Sequence, residues 1–236
     1  MMTKKTVQGL MVAATLCFST VAAQARDLMS FDAFLMGGGS TVFNTWSFVG
    51  ADEKYRSSYV TAAKYVVGFD VPLGKILGIE VAYASGHNDL RLTNVTLYPE
   101  VSTQYSVRNN VGSAGLVAHA PFSRFGFRPY LAVGWDYHRY APTLAGKEHA
   151  ILVGFGAVST ATLVTSNKLG VNGGGGLEHK ISQRVTFRLD IRDHLTGSPT
   201  FGLPAHATTS AIFPVRGFAE NVVYSAGIVV HIGKKK

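Results

Sequence analysis

The sequence predicts an all-β fold, an eight-stranded antiparallel up-and-down transmembrane β-barrel. Three observations predict it: segments in which apolar and polar residues alternate, a leader with the pattern of a secretion signal, and connections that are alternately short and long. The chain has 236 residues, of which 26 are glycine, 47% are hydrophobic and only 15% are charged. That length suits one domain rather than two.

The clearest alternation lies in the hairpin Leu169–Leu195, around a polar turn at residues 182–184. The apolar face of its second strand carries Val185, Phe187, Leu189, Ile191 and Leu195. The opposite face carries Arg184, Thr186, Arg188, Asp190, Arg192 and His194. Successive strand residues point to opposite faces. A soluble sheet would bury the apolar face, whereas several such hairpins behind a secretion signal indicate a barrel with that face turned toward lipid.

Residues 1–25 have the pattern of a cleaved signal peptide, which leaves 26–236 as the barrel domain. Lys4 and Lys5 precede an apolar run at 10–21, and Ala23-Gln24-Ala25 fits the cleavage rule. A membrane anchor is the alternative, but the run is shorter than the roughly 20 residues that a spanning helix needs. The single cysteine, Cys17, lies in this leader, so the mature chain offers no disulfide and no cysteine-based metal site.

Eight alternating segments follow the leader. The predicted strands are Leu28–Gly37, Tyr59–Val71, Ile76–Ser85, Thr103–Ala120, Phe127–Arg139, the two strands of the hairpin Leu169–Leu195, and Asn221–Ile232. The fourth alternates least cleanly, and we expect Tyr105, Val107, Val111 and Val117 to face outward with Arg108 inward. The aromatic residues expected on the outer face are Tyr59, Tyr65, Phe69, Tyr83, Trp135, Tyr137 and Tyr224. Such rings suit the interfaces of a membrane.

The connections between these strands alternate in length. The short ones are 72–75, 121–126 and 181–184, and the long ones are 38–58, 86–102, 140–167 and 196–220. Short periplasmic turns and long extracellular loops are typical of outer-membrane barrels with an even number of strands. The pattern therefore predicts a protein in the outer membrane of a Gram-negative-type bacterium, in contact with membrane lipid and lipopolysaccharide.

The chain resembles the small outer-membrane β-barrel family that includes OmpA-type and OmpX-type domains. The resemblance rests on the glycine run 173–176 leading through Leu177-Glu178 into Arg184–Arg192, and on the closing segment Tyr224–Ile232. It implies that the barrel-assembly machinery inserts the chain into the membrane. It also implies that interactions are carried by the extracellular loops.

The inward faces of the predicted strands carry charges of both signs. The predicted lumenal network comprises Lys64, Glu80, Arg108, Arg128, Asp136, Glu178, Arg188, Asp190 and Arg192. Such a network could be a constriction that tunes ion passage. An interior of eight strands is only wide enough for side chains to fill, however, and buried charges must be paired. We therefore interpret the network as structural.

No catalytic, metal-binding or cofactor-binding residues are predicted. The glycine runs at 37–39 and 173–176 lack the following helix that a phosphate loop needs, so they are interpreted as relief of crowding or barrel curvature. Asp136 with His138, and Arg192 with His194, share lumenal faces, but no histidine cluster has zinc-site spacing. No basic patch with interleaved aromatic residues indicates nucleic-acid binding.

Three functions remain open. The protein could be a structural or surface-binding barrel whose ligand meets loops 38–58, 140–167 and 196–220. It could be a narrow channel for ions or small solutes, or a lipid A-modifying enzyme. Lipid A deacylases of similar fold use a His-x-Ser motif, and no histidine in this chain is followed two residues later by serine. The loop segment 150–158 is unusually apolar, and two further strands there stay open. A soluble lipocalin-like barrel is the alternative fold.

Overall fold

A computed structural model describes residues 30–43, 46–50, 53–94, 102–145, 164–201 and 218–233. The strands are β1 (Phe31–Val42), β2 (Trp46–Gly50), β3 (Glu53–Tyr59), β4 (Ala62–Pro72), β5 (Leu77–His87), β6 (Leu90–Asn94), β7 (Ser102–Tyr105), β8 (Val107–His119), β9 (Phe127–Pro142), β10 (Ser166–Lys180), β11 (Val185–Gly197) and β12 (Phe218–Ile232). Within these ranges, no helix is long and apolar enough to cross a membrane.

Eight strands close into a barrel in the order β1-β12-β11-β10-β9-β8-β5-β4. Every neighbouring pair is antiparallel, and the barrel closes where Phe31 of β1 meets Ile232 of β12. The barrel strands run from 11 residues in β4 to 16 in β9, long enough for a tilted strand to cross a bilayer. The predicted eight-stranded antiparallel barrel is confirmed.

One end of the barrel carries short turns. In the turn between β4 and β5, Leu73 N donates to Leu77 O over 2.8 Å, and Gly74 adopts a φ of 124° that favours glycine. The turn between β10 and β11 is closed by Ile181 N donating to Val185 O over 3.0 Å. These turns define the periplasmic end, because the longer connections all leave the opposite end.

The outer surface of the barrel is apolar and exposed. Exposed outward residues include Leu35, Tyr65, Ile79, Tyr83, Leu116, Leu131, Val133, Trp135, Tyr137, Leu189, Ile191, Tyr224 and Ile228. Near the extracellular ends of the strands, the outward positions become polar at Arg108, Arg139 and Asn167. The apolar band below these residues faces the acyl chains. This is the orientation that the sequence predicted for the barrel strands other than β8.

The predicted orientation of the fourth barrel strand, β8, is wrong. Val107, Val111 and Val117 are fully buried in the interior, whereas Arg108 is exposed on the outside. Arg108 therefore does not belong to a lumenal network. Glycine, alanine and serine occupy both faces of β8, so its alternation does not show which face is apolar, and the valines alone suggest the wrong one. In the barrel, Val117 instead packs inside against Tyr130 and Ala132.

Two of the predicted loops contain strands. Strands β2 and β3 lie in the predicted loop 38–58, apart from Tyr59 at the end of β3, and β6 lies in the predicted loop 86–102. Strand β7 begins at Ser102, the last residue of that loop, and its other residues belong to the predicted strand Thr103–Ala120. Together these four strands form a separate sheet in the order β2-β3-β6-β7. Residues 60–61 lie between β3 and β4 and belong to neither strand. At this interruption, Val60 N donates to Asp89 O over 2.9 Å. Tyr59 precedes this break and is buried, so the expectation that it faces lipid is wrong. Tyr105 is likewise buried, at the end of β7.

An arginine introduced into the middle of the apolar band should destabilise the barrel. Val133 lies midway between Phe127 at the periplasmic start of β9 and Arg139, and is 63% exposed. We expect Val133→Arg to lower the free energy of unfolding by about 2–4 kcal/mol, measured by urea unfolding in phospholipid vesicles. Leu144→Arg is the matched control, because Leu144 is 74% exposed but lies beyond the extracellular end of β9. An equal effect of both substitutions would contradict the lipid-facing assignment.

Candidate functional site in the barrel interior

The interior of the barrel is filled by three groups of side chains stacked along its axis. The lower cluster, toward the periplasmic turns, comprises Asp70, Glu80, Glu178, Arg188, Asp190 and Arg192. The upper cluster comprises Asp136, His138, Asn172 and His194. The apolar cap, at the extracellular end, comprises Tyr59, Leu90, Tyr105, Val107, Tyr140 and Phe201. Each residue of the two clusters projects inward because it occupies the lumenal parity of its strand.

Arg188 is the centre of the lower cluster. Its Nη2 lies 3.1 Å from Asp70 Oδ2 and 2.6 Å from Glu178 Oε1, and its Nη1 lies 3.0 Å from Glu80 Oε2. These carboxylates come from β4, β5 and β10, so one guanidinium joins three other strands to β11. The side chain is 1% exposed. A charge so deeply buried is tolerable only with such complete pairing.

Arg192 extends the lower cluster toward the middle of the barrel. Its Nη1 lies 2.5 Å from Glu80 Oε1, and its Nε donates to Asp190 Oδ2 over 3.2 Å. The hydroxyl of Tyr130 donates to the same Asp190 oxygen. The Tyr130 ring also lies 4.9 Å from the Arg188 guanidinium carbon, so the aromatic face adds a cation–π contact. Side chains thus cross the lumen at this level.

The upper cluster is built around the carboxylate of Asp136. Its Oδ2 lies 2.7 Å from His194 Nδ1 and 3.6 Å from His138 Nε2. Its Oδ1 accepts a hydrogen bond from Asn172 Nδ2 over 2.7 Å. Asp136 and His138 share the inward face of β9. Asn172 lies on the neighbouring strand β10, where it pairs with Gly134 of β9 on one side and with His194 of β11 on the other. One ligand atom each of Asp136, His138 and His194 lies within 4.8 Å of the others, which is compatible with a metal ion.

Four residues of the predicted network lie outside the lower cluster, and one of them, Asp136, is the centre of the upper cluster. Lys64 is buried and interacts electrostatically with Asp136 and His138, so it belongs to the level of the upper cluster. Arg128 donates to the backbone carbonyls of Ala120 and Lys75, over 2.9 and 2.6 Å, at the periplasmic end. It therefore holds two turns rather than a carboxylate. Arg108 lies on the outer surface, as described above.

The apolar cap separates the upper cluster from the extracellular side. Tyr59 and Leu90 come from the separate sheet, so that sheet covers the barrel mouth. Burial raises the pKa of the Tyr59 phenol well above its ordinary value, with a smaller contribution from Tyr140. Beneath the cap, Ser40 Oγ donates to Asn221 Oδ1 over 2.6 Å. This hydrogen bond joins β1 to β12 across the seam of the barrel.

Little open space remains between the two clusters. A cavity of about 20 Å³ lies there, lined by residues that include Glu80, Arg192 and His194. That volume accommodates about one water molecule. A hydrated ion or a small solute therefore meets packed side chains at this level.

The sequence predicts the correct face for most of these residues, but it does not predict that Asp136, His138 and His194 meet. Asp136 and His138 were assigned to the lumen of one strand, and His194 to the lumen of another. Their contact depends on the register of β9, β10 and β11, in which Asn172 is opposite His194. The sequence shows that these two imidazoles and one carboxylate all face the lumen. It does not show that they lie at the same height along the barrel axis, because that height depends on the register.

Removal of Arg188 should strongly destabilise the barrel. Arg188→Met leaves Asp70, Glu80 and Glu178 buried without their common cation, so we expect a loss of about 3–5 kcal/mol of unfolding free energy. Urea unfolding in phospholipid vesicles measures this loss of unfolding free energy. Arg124→Met is the control, because Arg124 is exposed. Adding Asp70→Asn and Glu178→Gln to Arg188→Met should restore part of the loss. A change below about 1 kcal/mol, the range of a surface ion pair, would show that the network contributes little.

Comparisons with known proteins agree with this architecture. The family model described as outer membrane protein beta-barrel domain matches residues 11–213. The crystal structure of OprG from Pseudomonas aeruginosa is similar, with 13% identity, 89% of this chain and 99% of that chain covered, and a TM-score of 0.55. The solid-state NMR structure of AlkL in DMPC lipid bilayers gives 10% identity, 89% and 93% coverage, and a TM-score of 0.53. No curated protein sequence matches the chain.

The family match spans most of the chain, and the similar structures share its closed antiparallel barrel. The apolar outer band and the paired charges inside are what such a barrel requires in a bilayer. The chain belongs to the outer-membrane β-barrel protein family, and it is a small eight-stranded barrel of the Gram-negative outer membrane.

Proposed function

We propose that this protein is a non-enzymatic barrel with a structural or surface-binding role at the extracellular side of the outer membrane. The observation that carries the proposal is the filled interior. The lower cluster crosses the lumen with Arg188 only 1% exposed, and the apolar cap covers the extracellular end. The separate sheet β2-β3-β6-β7 meanwhile gives the extracellular side a shaped surface on a rigid support.

An open channel fits this interior poorly. Conduction needs a continuous water-filled path, and charged groups along that path must bind ions weakly enough to release them. In the lower cluster, Arg188 and Arg192 are instead held by carboxylates on both sides of the barrel. The arginines and carboxylates therefore neutralise one another instead of lining a path for ions.

An enzymatic role is also disfavoured by burial. The Asp136–His194 pair resembles the acid and base of a hydrolase, and such a pair must reach its substrate to act. Asp136 is 2% exposed and His194 is 5% exposed, and both lie beneath the apolar cap. A lipid substrate in the outer leaflet has no contact with them in this conformation.

The unmodified protein should not conduct in planar lipid bilayers. We expect no reproducible conductance steps from the refolded wild-type chain, because the lower cluster fills the lumen. Replacing Arg188 and Arg192 together by alanine should introduce conductance, while Arg124→Ala at the periplasmic turn should not. Wild-type steps that Arg188→Ala abolishes or makes differently ion-selective would contradict the structural role and favour a channel.

The outer rim near the extracellular end offers a site for lipopolysaccharide. Arg108 Nε donates to His87 Nε2 over 3.5 Å, and a groove of about 470 Å³ beside them is lined by Tyr65, Tyr83 and Asn110 among others. The groove combines apolar rings with an exposed guanidinium near the extracellular end of β8. Phosphate on lipid A is a fitting partner for that guanidinium. The proposed extracellular ligand would meet the hairpin β2–β3 within loop 38–58, while most of 140–167 and 196–220 lies outside the described residues.

Loss of the rim arginine should weaken binding of lipopolysaccharide. We expect Arg108→Ala to lower the affinity of the micelle-folded barrel for purified lipopolysaccharide by about 10-fold or more, because a hydrogen bond to a charged group contributes about 1.5–3 kcal/mol. Titration calorimetry measures the affinity, and Arg124→Ala at the periplasmic end is the matched control. Equal affinities of the two variants would contradict a specific rim site.

A further inference from the structure

We propose that Asp136, His138 and His194 form a binding site for one divalent transition-metal ion inside the barrel. Asp136 Oδ2 lies 3.6 Å from His138 Nε2 and 2.7 Å from His194 Nδ1. A metal bonded at about 2.0–2.2 Å to nitrogen and oxygen ligands separates neighbouring ligand atoms by little more than 3 Å. The first pair already has that separation, and the second must widen by several tenths of an ångström.

The ring of His138 points an unused nitrogen into this site. His138 is 0% exposed, and its Nε2 makes no hydrogen bond within the described part of the chain. The opposite ring nitrogen, Nδ1, lies 3.4 Å from the Tyr140 hydroxyl. A proton on Nδ1 can therefore be shared with Tyr140, which leaves the lone pair of Nε2 directed at Asp136. A buried polar atom without a partner is costly, and a metal ion would remove that cost.

Asn172 provides the supporting contact that metal sites need. Its Nδ2 donates to Asp136 Oδ1 over 2.7 Å and thereby turns the other carboxylate oxygen toward the two imidazoles. Groups that orient metal ligands in this way usually matter nearly as much as the ligands. The Oδ1 of Asn172 is itself buried and forms no hydrogen bond among the described residues.

The donor set selects the class of metal. Two imidazoles and one carboxylate suit Zn²⁺, Co²⁺, Ni²⁺ or Cu²⁺, whereas Mg²⁺ and Ca²⁺ prefer oxygen ligands alone. The three donors come from β9 and β11, whose positions are fixed by the closed sheet. The site is therefore preorganised by the barrel and does not depend on the loops.

Lys64 sets the charge balance of the site. Its ammonium is buried, forms no hydrogen bond within the described ranges, and interacts electrostatically with Asp136 and His138. In the absence of a metal, this charge opposes that of Asp136. A bound divalent cation would be repelled by it, so the affinity for metal should rise when Lys64 is replaced by methionine.

Co²⁺ reports on such a site directly, because its visible absorption depends on the ligands. The full chain is refolded into detergent micelles with Co²⁺ added either before or after folding, and Zn²⁺ is then used in competition to obtain an affinity. Heat-modifiable migration on a gel checks folding of each variant. We expect one Co²⁺ per barrel with a visible ligand-field band, which Zn²⁺ removes.

The variants separate a real site from general binding to histidines. His138→Gln and His194→Gln should each weaken Zn²⁺ binding more than about 100-fold, and Asn172→Ala about 10-fold. Lys64→Met should strengthen it. His231→Gln is the matched control, because His231 pairs with Asp32 at 2.5 Å but lies outside the trio, and it should leave the affinity unchanged.

Two results would overturn the proposal. One is the absence of a ligand-field band under both loading conditions in the folded wild-type barrel. The other is a ligand-field band and a Zn²⁺ affinity that are both unchanged in the folded His138→Gln variant. If a histidine variant does not fold, the Asn172→Ala and Lys64→Met affinities decide, since unchanged values for both contradict a site at this position. Conductance measurements are independent of these outcomes, so the proposed structural role is tested separately.

Discussion

The structure depends on the need to pair every backbone polar group within hydrocarbon. A sheet meets this need only by closing on itself, and here β1 closes against β12. Eight strands close around a space that side chains must fill. Because the outer face belongs to lipid, the polar half of each strand is turned into that small space. Charges that would be hydrated on a soluble protein are therefore forced into contact, and the lower cluster around Arg188 is the result.

The two polar levels of the interior meet this constraint differently. In the lower cluster, guanidinium groups have several donors in a fixed plane, so Arg188 can satisfy carboxylates from three strands at once. In the upper cluster, imidazole and amide groups surround a single carboxylate, Asp136, and some of their polar atoms have no partner among the described residues. The ion pairs of the lower cluster link four strands and stabilise the closed barrel. The upper level has the features of an incomplete coordination shell.

The sequence predicts the orientation of a strand well where charged and apolar residues alternate strictly. It predicts the orientation poorly where small residues occupy both faces. In β11, Arg188, Asp190 and Arg192 fix one face as the interior without ambiguity. In β8, glycine, alanine and serine on both faces gave no such contrast, so Val107 and Val111 were assigned to lipid although they fill the lumen. The separate sheet was missed because β2, β3, β6 and β7 are short and lack a clear period. The upper cluster was missed because parity gives a face but not a height, and height follows from register.

The seam between the first and last barrel strands has a further consequence for how the chain is made. Phe31 pairs with Ile232 and Val42 with Asn221, so the closing contacts join segments from opposite ends of the polypeptide. Such long-range pairing forms late, because the entropy of a large loop is lost before any contact compensates for it. Until β12 pairs with its two neighbours, both β1 and β11 expose a free edge. A chain without β12 can form hairpins but cannot close the barrel, and its unpaired edges are then open to pairing with other chains.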